Sequence, residues 1–414
     1  MISQDRLAGD IAHMQTITAP GQGINRLAFT DSDWQGRAYL MRCMRAAGLT
    51  LRTDAFGNVI GRLAGTHDHL PAVMFGSHGD SVPEGGNYDG IVGILSAIEV
   101  IRSIREDGFQ PEHPLEVVLF MCEESSRFGS ATLGSKAMRG ELTADDLQRL
   151  HDRQGHSLYE VLKARDLDPD HIEEAKYTAP VKSFFEVHIE QGRVLEATHN
   201  QIGIVTGIAA PTRFRIQLQG QADHSGATPM NLRRDALCAA AEIVLETERL
   251  ASSQTEPPVV GTIGCLDIEP GAMNVIPGHA ALSVDIRSIS AEAKATVADS
   301  VRRYTREHAA ARQIACTIEE ISQEQPTRMN QAVVDMFQHI CDANHLQSLQ
   351  LPSGAGHDSM HWAKYAPTGM LFIPCCRGIS HNPAEHAELG DITAAARVLD
   401  AAVRQASHAD FTFA

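Results

Sequence analysis

Residues 72–122 contain the pattern that decides the fold: AVMFGSHGDSVPEGGNYDGIVGILSAIEVIRSIREDGFQPEHPLEVVLFMC. The segment 72–76 is a short apolar run that ends at a loop. Isoleucine and leucine then recur at helical spacing through 91–105, which predicts a helix with one apolar face. The run LEVVLFMC at 115–122 is typical of a buried strand. A strand, loop, helix and strand in this order indicate a layered α/β domain.

Further strand and helix patterns flank this unit. In 184–190, apolar residues alternate with Glu186, His188 and Glu190, so one face of the predicted strand is apolar and the other polar. Residues 141–175, which precede this strand, are charged and helical in pattern. The sequence therefore predicts a mixed sheet that is flanked by helices.

The order of elements changes after residue 212. Strand patterns are predicted at 213–218, 259–266, 280–287 and up to about 320, and helical patterns at 231–250 and 291–312. This strand–helix–strand–strand–helix–strand order is the ferredoxin-like arrangement. The first pattern then resumes with a helix near 331–345. We therefore expect an α/β catalytic domain formed by 1–212 and 330–414, interrupted by an α+β domain at 213–329.

The composition excludes several classes of function. The 414 residues include 52 acidic and 35 basic side chains, a formal net charge of −17. This charge argues against a nucleic-acid binder and against binding to an anionic membrane. The polar N-terminus and the absence of a long apolar run predict neither a signal peptide nor a membrane span. The eight scattered cysteines include no CxxC pair, which favours reduced thiols and a cytoplasmic protein.

Polar clusters follow the predicted strands, where an α/β sheet usually binds its ligands. They are His78-Gly79-Asp80, the loop 85–90 with Asp89, Glu123-Glu124, His188, and Ser380-His381. A single histidine is more often an ordinary side chain than a ligand, and adjacent glutamates are usually a solvated face. A carboxylate two residues after His78 could orient a ligating imidazole. Together these nitrogen and oxygen donors suit zinc, manganese, cobalt or nickel.

An ordered set of motifs resembles the hydantoinase/carbamoylase family of amidases, within the metallopeptidase group of aminoacylases and bacterial glutamate carboxypeptidases. The motifs are GSHGDSVPEGGNYDG, CEESSRFG, EVHIEQG, GQADHSGATPM, GAMNVIPG, DIR, SGAGHD and GISHNPAE, spread from about residue 20 to about 395. HIEQG, ADHSGATPM and SHNPAE together are specific to the carbamoylase branch. Departures are Gly79, where relatives often carry a larger apolar residue, and Ser125-Ser126, where Gly-Ser is common.

The resemblance implies two divalent metal ions per subunit. One ion would be held by His78, Asp89 and His188, and the other by Asp89, Glu124 and His381. Asp80 would orient His78. Glu123 would be the general base, and its alternative role is that of a further metal ligand.

The resemblance also implies roles for the inserted domain. It would serve as a dimerisation and lid domain, and His224 would reach the active site of the partner subunit of a homodimer to stabilise the oxyanion. Asn274 and Arg287 would bind the substrate carboxylate. A surface pair between Arg287 and Asp285 is the plainer interpretation, because period two puts both on one side of a strand.

Further residues of the motifs are candidates for binding the substrate or for packing behind the site. Backbone amides of Gly354, Ala355 and Gly356 could bind the same carboxylate, and Gln191 could line the pocket. For His357 and Asp358, which follow them, packing behind the site is the default role.

The leading expectation is hydrolysis of an N-carbamoyl-L-amino acid to the amino acid, ammonia and carbon dioxide. Allantoate is a close alternative because it carries the same ureido and carboxylate groups, and a β-ureido acid such as N-carbamoyl-β-alanine is a third. An aminoacylase or peptidase is less expected, because HIEQG and SHNPAE are carbamoylase features. A non-catalytic binding protein is the least expected, since every implied ligand and the base are present.

Overall fold

The segment 72–122 forms strand Ala72–His78, helix Ile91–Glu106 and strand Leu115–Phe120, as its sequence predicts. This arrangement is taken from a computed structural model that describes residues 1–413 of the chain. The chain divides into unit 1, Met1–Thr206 with Met329–Ala414, and unit 2, Gly207–Arg328. Unit 2 includes residues 207–212, which precede the predicted boundary at residue 213, and antiparallel pairing in its sheet starts at Ala210.

The strands are numbered in chain order. They are β1 Thr50–Thr53, β2 Val59–Leu63, β3 Ala72–His78, β4 Leu115–Phe120, β5 Val181–Ile189, β6 Ile202–Ile208, β7 Ala210–Gln219, β8 Asp223–His224, β9 Val260–Glu269, β10 Val275–Ile276, β11 His279–Ser288, β12 Ala315–Gln323, β13 Thr327–Arg328, β14 Ser348–Ser353 and β15 Thr368–Ile373.

The helices are numbered in the same way. They are α1 Gln4–Gln15, α2 Asp31–Ala46, α3 Ile91–Glu106, α4 Leu133–Arg139, α5 Ala144–Arg149, α6 Leu158–Lys163, α7 Val194–Thr198, α8 Ala236–Ser253, α9 Ala291–Ala311, α10 Gln331–Ala343, α11 Ser359–Trp362 and α12 Leu389–Ala406, with short 3₁₀ turns at Pro169–Ala175, Met230–Leu232 and Cys376–Gly378. The predicted helical region 141–175 is thus divided into α5, α6 and a 3₁₀ turn. No helix among residues 1–413 combines the length and hydropathy that a membrane span requires.

Unit 1 is built on a mixed sheet with the strand order β1-β2-β4-β3-β5-β15-β6, and β14 pairs with β6. The central strands β4, β3, β5 and β15 run parallel, whereas β1, β2 and β6 pair antiparallel. The apolar helix α3 packs against β3, β4 and β5, and α12 packs against α3. Because the central strands are parallel, their carboxyl ends meet at one edge of the sheet.

Strand β5 is buried along Ser183–Ile189 on both faces. Its alternating sequence therefore does not mark a boundary between core and solvent. The polar face that carries Glu186 and His188 is enclosed by protein, and both side chains are almost fully buried. Buried ionisable side chains need partners, so this face of β5 is a candidate part of a functional site.

Unit 2 is an antiparallel sheet in the order β12-β7-β11-β9, with the chain order β7-α8-β9-β11-α9-β12. This is the ferredoxin-like connectivity, and it confirms the predicted fold class. Phe214, Ile216 and Leu218 of β7 are buried in a core that also contains residues of both helices. Their neighbours in the strand face away from that core, as the period of two requires.

Candidate metal centre

The histidines and carboxylates of unit 1 converge at the carboxyl edge of the sheet. His78 ends β3, His188 lies next to the end of β5, and Glu124 follows β4. Asp89 precedes α3 and His381 follows β15. His78, Asp89, Glu124 and His188 are buried, and 48 % of the His381 side chain is exposed.

Asp89 divides its two carboxylate oxygens between different imidazoles. Its Oδ1 lies 3.3 Å from His78 Nε2 and 3.1 Å from His188 Nε2. Its Oδ2 lies 3.4 Å from His381 Nε2, which is also 3.2 Å from Glu124 Oε1. We call His78, Asp89 and His188 the first set, and Asp89, Glu124 and His381 the second set. Within each set the possible ligand atoms all lie within 4.8 Å of one another.

The backbone contacts of the first set orient both imidazole rings with Nε2 toward Asp89. His78 Nδ1–H donates to the Asp80 carbonyl at 3.1 Å, and His188 Nδ1–H donates to the Ile189 carbonyl at 2.9 Å. A carbonyl oxygen can only accept, so Nδ1 of each ring carries a proton, and Nε2 is the atom that would bind a metal ion once it is deprotonated. Histidine ligands in metal sites are commonly held in this way.

The donor chemistry fits divalent metal ions. Glu124 Oε1 is buried and lies 3.2 Å from His381 Nε2, but without the geometry of a hydrogen bond. Imidazole nitrogens and carboxylate oxygens without thiolates suit zinc, manganese, cobalt or nickel. Two such sets that share one carboxylate are the arrangement expected of a two-metal site. These residues therefore form the candidate metal centre.

The pKa values of these groups show how strongly the site attracts positive charge. Burial alone would raise the pKa of Asp89, but the three surrounding imidazoles hold it well below the ordinary value. Asp89 and Glu124 raise the pKa of His381 to about 10, against the effect of burial. Burial and the neighbouring carboxylates raise the pKa of Glu123. Imidazoles and carboxylates thus face one another in a buried cluster, and a divalent ion bound there would add positive charge.

Glu123 is placed differently from its neighbour Glu124. It is buried, and its Oε2 lies 3.9 Å from His78 Nε2, but it belongs to neither set. The backbone amides of Glu123 and Glu124 both donate to the Asp80 carboxylate, at 3.2 and 3.1 Å. Asp80 therefore positions the glutamate pair, whereas its carboxylate is 3.7 Å from His78 Nδ1, which contacts the Asp80 carbonyl instead. This differs from the expected contact between the Asp80 carboxylate and His78.

Gly90 allows the loop that carries Asp89 to approach His78. Its φ is +67°, in the left-handed region that favours glycine, and it precedes the first residue of α3. A Cβ at this position would lie 2.5 Å from the His78 ring. Gln191 closes the other side, where its Nε2 donates to Asp89 Oδ2 at 2.6 Å. Gln191 thus contacts the shared carboxylate directly.

The remaining candidate of unit 1 is the loop Gly354-Ala355-Gly356, which follows β14. The Ala355 amide donates to the Ser353 hydroxyl at 3.1 Å. It is therefore not free to bind a substrate carboxylate in this conformation.

The candidates of unit 2 lie on separate elements. His224 is exposed on β8, and its Nδ1 accepts hydrogen bonds from the amides of Gly226 and Ala227, each at 3.1 Å. Its Nε2 must then carry the proton, which makes it a hydrogen-bond donor to solvent. Asn274 is exposed in the segment before β10.

Arg287 pairs with Asp285, as the plainer interpretation of the sequence proposes. Its Nε donates to Asp285 Oδ1 at 2.9 Å, and a second nitrogen donates to Oδ2 at 3.1 Å. Arg213 donates to the same carboxylate at 2.9 Å. Both arginines line a cavity of about 490 Å³ on the sheet of unit 2.

Several buried residues behind the centre were not singled out as site residues from the sequence. Glu186 accepts hydrogen bonds from the hydroxyls of Ser77 and Ser359, at 2.8 and 2.5 Å. Glu186 lies two residues before His188 on the polar face of β5, and this position could have identified it as a neighbour of the site from the sequence. Glu385 lies in the quoted SHNPAE motif and contacts two ligand loops.

His357 and Asp358, whose roles were left open, lie behind the centre. The His357 ring packs 4.5 Å from the His188 ring, and burial lowers its pKa well below the ordinary value. Asp358 is fully buried and accepts a 2.5 Å hydrogen bond from the Ser135 hydroxyl. Burial and the neighbouring Glu186 raise the pKa of Asp358 to about 8.

The chain is similar to known proteins in sequence and in fold. Residues 74–405 match peptidase family M20/M25/M40. An N-carbamoyl-L-amino-acid amidohydrolase of Pseudomonas sp. (strain NS671) is 38 % identical, over 96 % of this chain and 97 % of the relative. An allantoate amidohydrolase of Escherichia coli (strain K12) is 34 % identical, over 92 % of each chain.

A solved structure shares the fold over almost the whole length. An amidase of the hydantoinase/carbamoylase family from Burkholderia multivorans superposes with a TM-score of 0.92, at 35 % identity and over 98 % of each chain. The expected resemblance is therefore confirmed. The chain belongs to peptidase family M20/M25/M40 and, within it, to the hydantoinase/carbamoylase amidases, which are hydrolases of C–N bonds.

Proposed function

We propose that this protein is a metal-dependent amidohydrolase that cleaves the ureido C–N bond of an N-carbamoyl-L-amino acid. The observation that carries the proposal is the arrangement around Asp89, which offers one oxygen to each donor set while Glu123 stays outside both. The substrate class is supported by the name of the Pseudomonas relative. Allantoate is the second candidate, because the Escherichia coli relative carries that name.

Each donor set would hold one divalent ion, of zinc, manganese, cobalt or nickel. When bound, the ions would polarise the ureido carbonyl and make water a better nucleophile near neutral pH. Affinity alone does not select among these metals. The chain's own part is to fix the ligands, through the carbonyl contacts of His78 and His188 and through the Asp80 hydrogen bonds to the glutamate pair.

Glu123 moves the proton. As water attacks the carbamoyl carbon, a Glu123 carboxylate oxygen takes one of its protons. The same carboxyl group then gives that proton to the nitrogen of the amino acid as the C–N bond breaks. The released carbamate decomposes to ammonia and carbon dioxide. The buried position of Glu123 and its raised pKa match a group that must both accept and release a proton.

His224 would stabilise the oxyanion from the partner subunit of a homodimer. The hydrogen bonds of its Nδ1 leave Nε2–H as an outward-facing donor, which is the form an oxyanion requires. Met230 and Leu232, which follow His224 in sequence, are 76 % and 67 % exposed, and Met273, which precedes Asn274, is 101 % exposed. Exposed apolar side chains of this size favour an interaction surface.

This arrangement predicts complementation between two inactive variants. His224→Ala and Glu123→Gln should each lose activity, yet the mixed dimer contains one site with both groups intact. Each mixed dimer has one complete site out of two. If half of the co-expressed dimers are mixed, about a quarter of wild-type activity should therefore return. Separately tagged chains allow the mixed dimer to be purified and assayed. An inactive mixed dimer would place His224 and Glu123 in the same chain's site or exclude the role of His224.

Substrate carboxylate binding is assigned to Arg287 and Asn274, because the resemblance of their motifs implies this role. Arg287 can bind a carboxylate with two parallel hydrogen bonds. Asp285 occupies those donors, so a substrate carboxylate must compete with it for Arg287. The partial exposure of Arg287, 36 % of its side chain, leaves such an approach open.

A substrate panel tests the proposal. N-carbamoyl-L-amino acids, allantoate, N-carbamoyl-β-alanine, N-acetyl-L-amino acids and dipeptides are assayed with zinc, manganese, cobalt and nickel. We expect ammonia release from the ureido acids, highest kcat/KM for an N-carbamoyl-L-amino acid, and full loss of activity with a chelator. Turnover of dipeptides without turnover of ureido acids would overturn the proposal, and activity that survives metal removal would contradict the metal role.

A further inference from the structure

Glu385 connects two loops that carry metal-ligand candidates. Its side chain is buried, and its Oε1 accepts from the backbone amides of Tyr88 and Asp89 at 2.9 and 3.1 Å. Its Oε2 accepts from the His381 amide at 3.3 Å and from the Ser380 hydroxyl at 3.0 Å. One carboxylate thus joins the loop of Asp89 to the loop of His381.

The partners of Glu385 explain why a carboxylate is required. Three of them are backbone N–H groups, which can only donate, and an ionised carboxylate only accepts. A glutamine of the same shape could keep its oxygen toward Tyr88 and Asp89. Its NH₂ group would then face the N–H of His381, and two donors cannot satisfy each other. The amide therefore preserves the Asp89 contact and breaks the His381 contact.

Gly86 provides the space for this carboxylate. A Cβ at residue 86 would overlap Oε1 and other side-chain atoms of Glu385. The contact is therefore tight on the side that faces the Asp89 loop, and a methyl group there would push Oε1 away from its amide partners.

We propose that Glu385 is a positioning residue that fixes Asp89 and His381 relative to each other, and so determines the affinity of the second set for its metal ion. The inference rests on the proposed two-metal function. The inference predicts different effects on the metal affinities of the two sets, because Glu385 contacts no residue of the first set except the shared Asp89.

Cobalt binding to Glu385→Gln tests the proposal without an activity assay. Metal-free protein is titrated with cobalt(II) and followed by calorimetry and by the visible absorption of the bound ion. We expect wild type to bind two ions per chain. In Glu385→Gln one ion should bind as in wild type and the other about 10- to 100-fold more weakly, the usual effect of losing a contact behind a ligand.

Two further variants make the outcome specific. Gly86→Ala should weaken both ions, because it displaces the oxygen that holds Asp89, which belongs to both sets. Glu388→Gln makes the same chemical change at an exposed glutamate three residues away and should change neither. Gly86→Ala also tests the contact if Glu385→Gln fails to fold.

The possible results separate this inference from the proposed function. Wild-type affinity for both ions in Glu385→Gln, or equal weakening of both, would overturn the positioning role. A wild-type chain that binds fewer than two cobalt ions would instead overturn the two-metal function on which the inference rests.

Discussion

Replacement of Glu123 by glutamine is expected to lower kcat by about 10²- to 10⁴-fold, the usual contribution of a general base, while both metal ions stay bound. Glutamine keeps the shape of the side chain but cannot take the proton of water. Glu123 lies outside both donor sets, so its loss removes no ligand. The fall should appear equally in kcat and kcat/KM, because the proton moves only in the transition state. Steady-state assays and metal analysis of the same preparation measure both quantities.

Glu124→Gln is the matched control for this prediction. The two residues are adjacent, both are buried, and both donate a backbone amide to Asp80. Only Glu124 belongs to the second set, so its variant should lose affinity for one ion. A Glu123→Gln protein that has lost its metals would show that Glu123 is a ligand and not the base.

Replacement of Asp89 by asparagine is expected to remove both ions and all measurable activity. Each carboxylate oxygen faces a different donor set, and an amide can present only one oxygen while its NH₂ group faces an imidazole nitrogen. Metal affinity should fall by more than the factor of about 10 to 100 that follows the loss of a contact behind a ligand. Metal content by mass spectrometry and metal-dependent thermal unfolding measure it.

Asp145→Asn serves as the control for the Asp89 variant, because Asp145 is exposed on α5 and lies outside the centre. It should retain wild-type metal content and activity. If Asp89→Asn kept one ion at full affinity, Asp89 would belong to a single site, and the two-metal interpretation of the shared carboxylate would be wrong.

The elements that position the centre were predictable from the sequence. Periodicity and apolar runs identify β3, α3 and β4, because burial against a common core imposes those patterns. The position of Asp89 was not predictable from its neighbours alone, since it depends on a turn at Gly90 with positive φ and on contacts to His188 and His381. Their positions after predicted strands indicated a common site, and the resemblance of the motifs divided them into two sets.

The buried face of β5 shows where pattern reasoning was incomplete. Alternation of polar and apolar residues usually means that one face of a strand meets solvent. Here the polar face meets other polar groups, and Glu186 finds partners on β3 and α11 that local sequence does not reveal. The contacts of Glu385 were hidden for the same reason, because its partners Tyr88 and Asp89 are distant in sequence.

The distribution of the ligands along the chain has a consequence for protein synthesis. The first set is complete once residue 188 has been made, whereas the second set needs His381, which follows the whole of unit 2. On the ribosome, where N-terminal segments emerge first, the two sets are therefore completed at different times. Strand β15, which lies beside β5 in the finished sheet, is also made only after unit 2. A nascent chain stalled within unit 2 would carry every residue of the first set and lack His381 of the second.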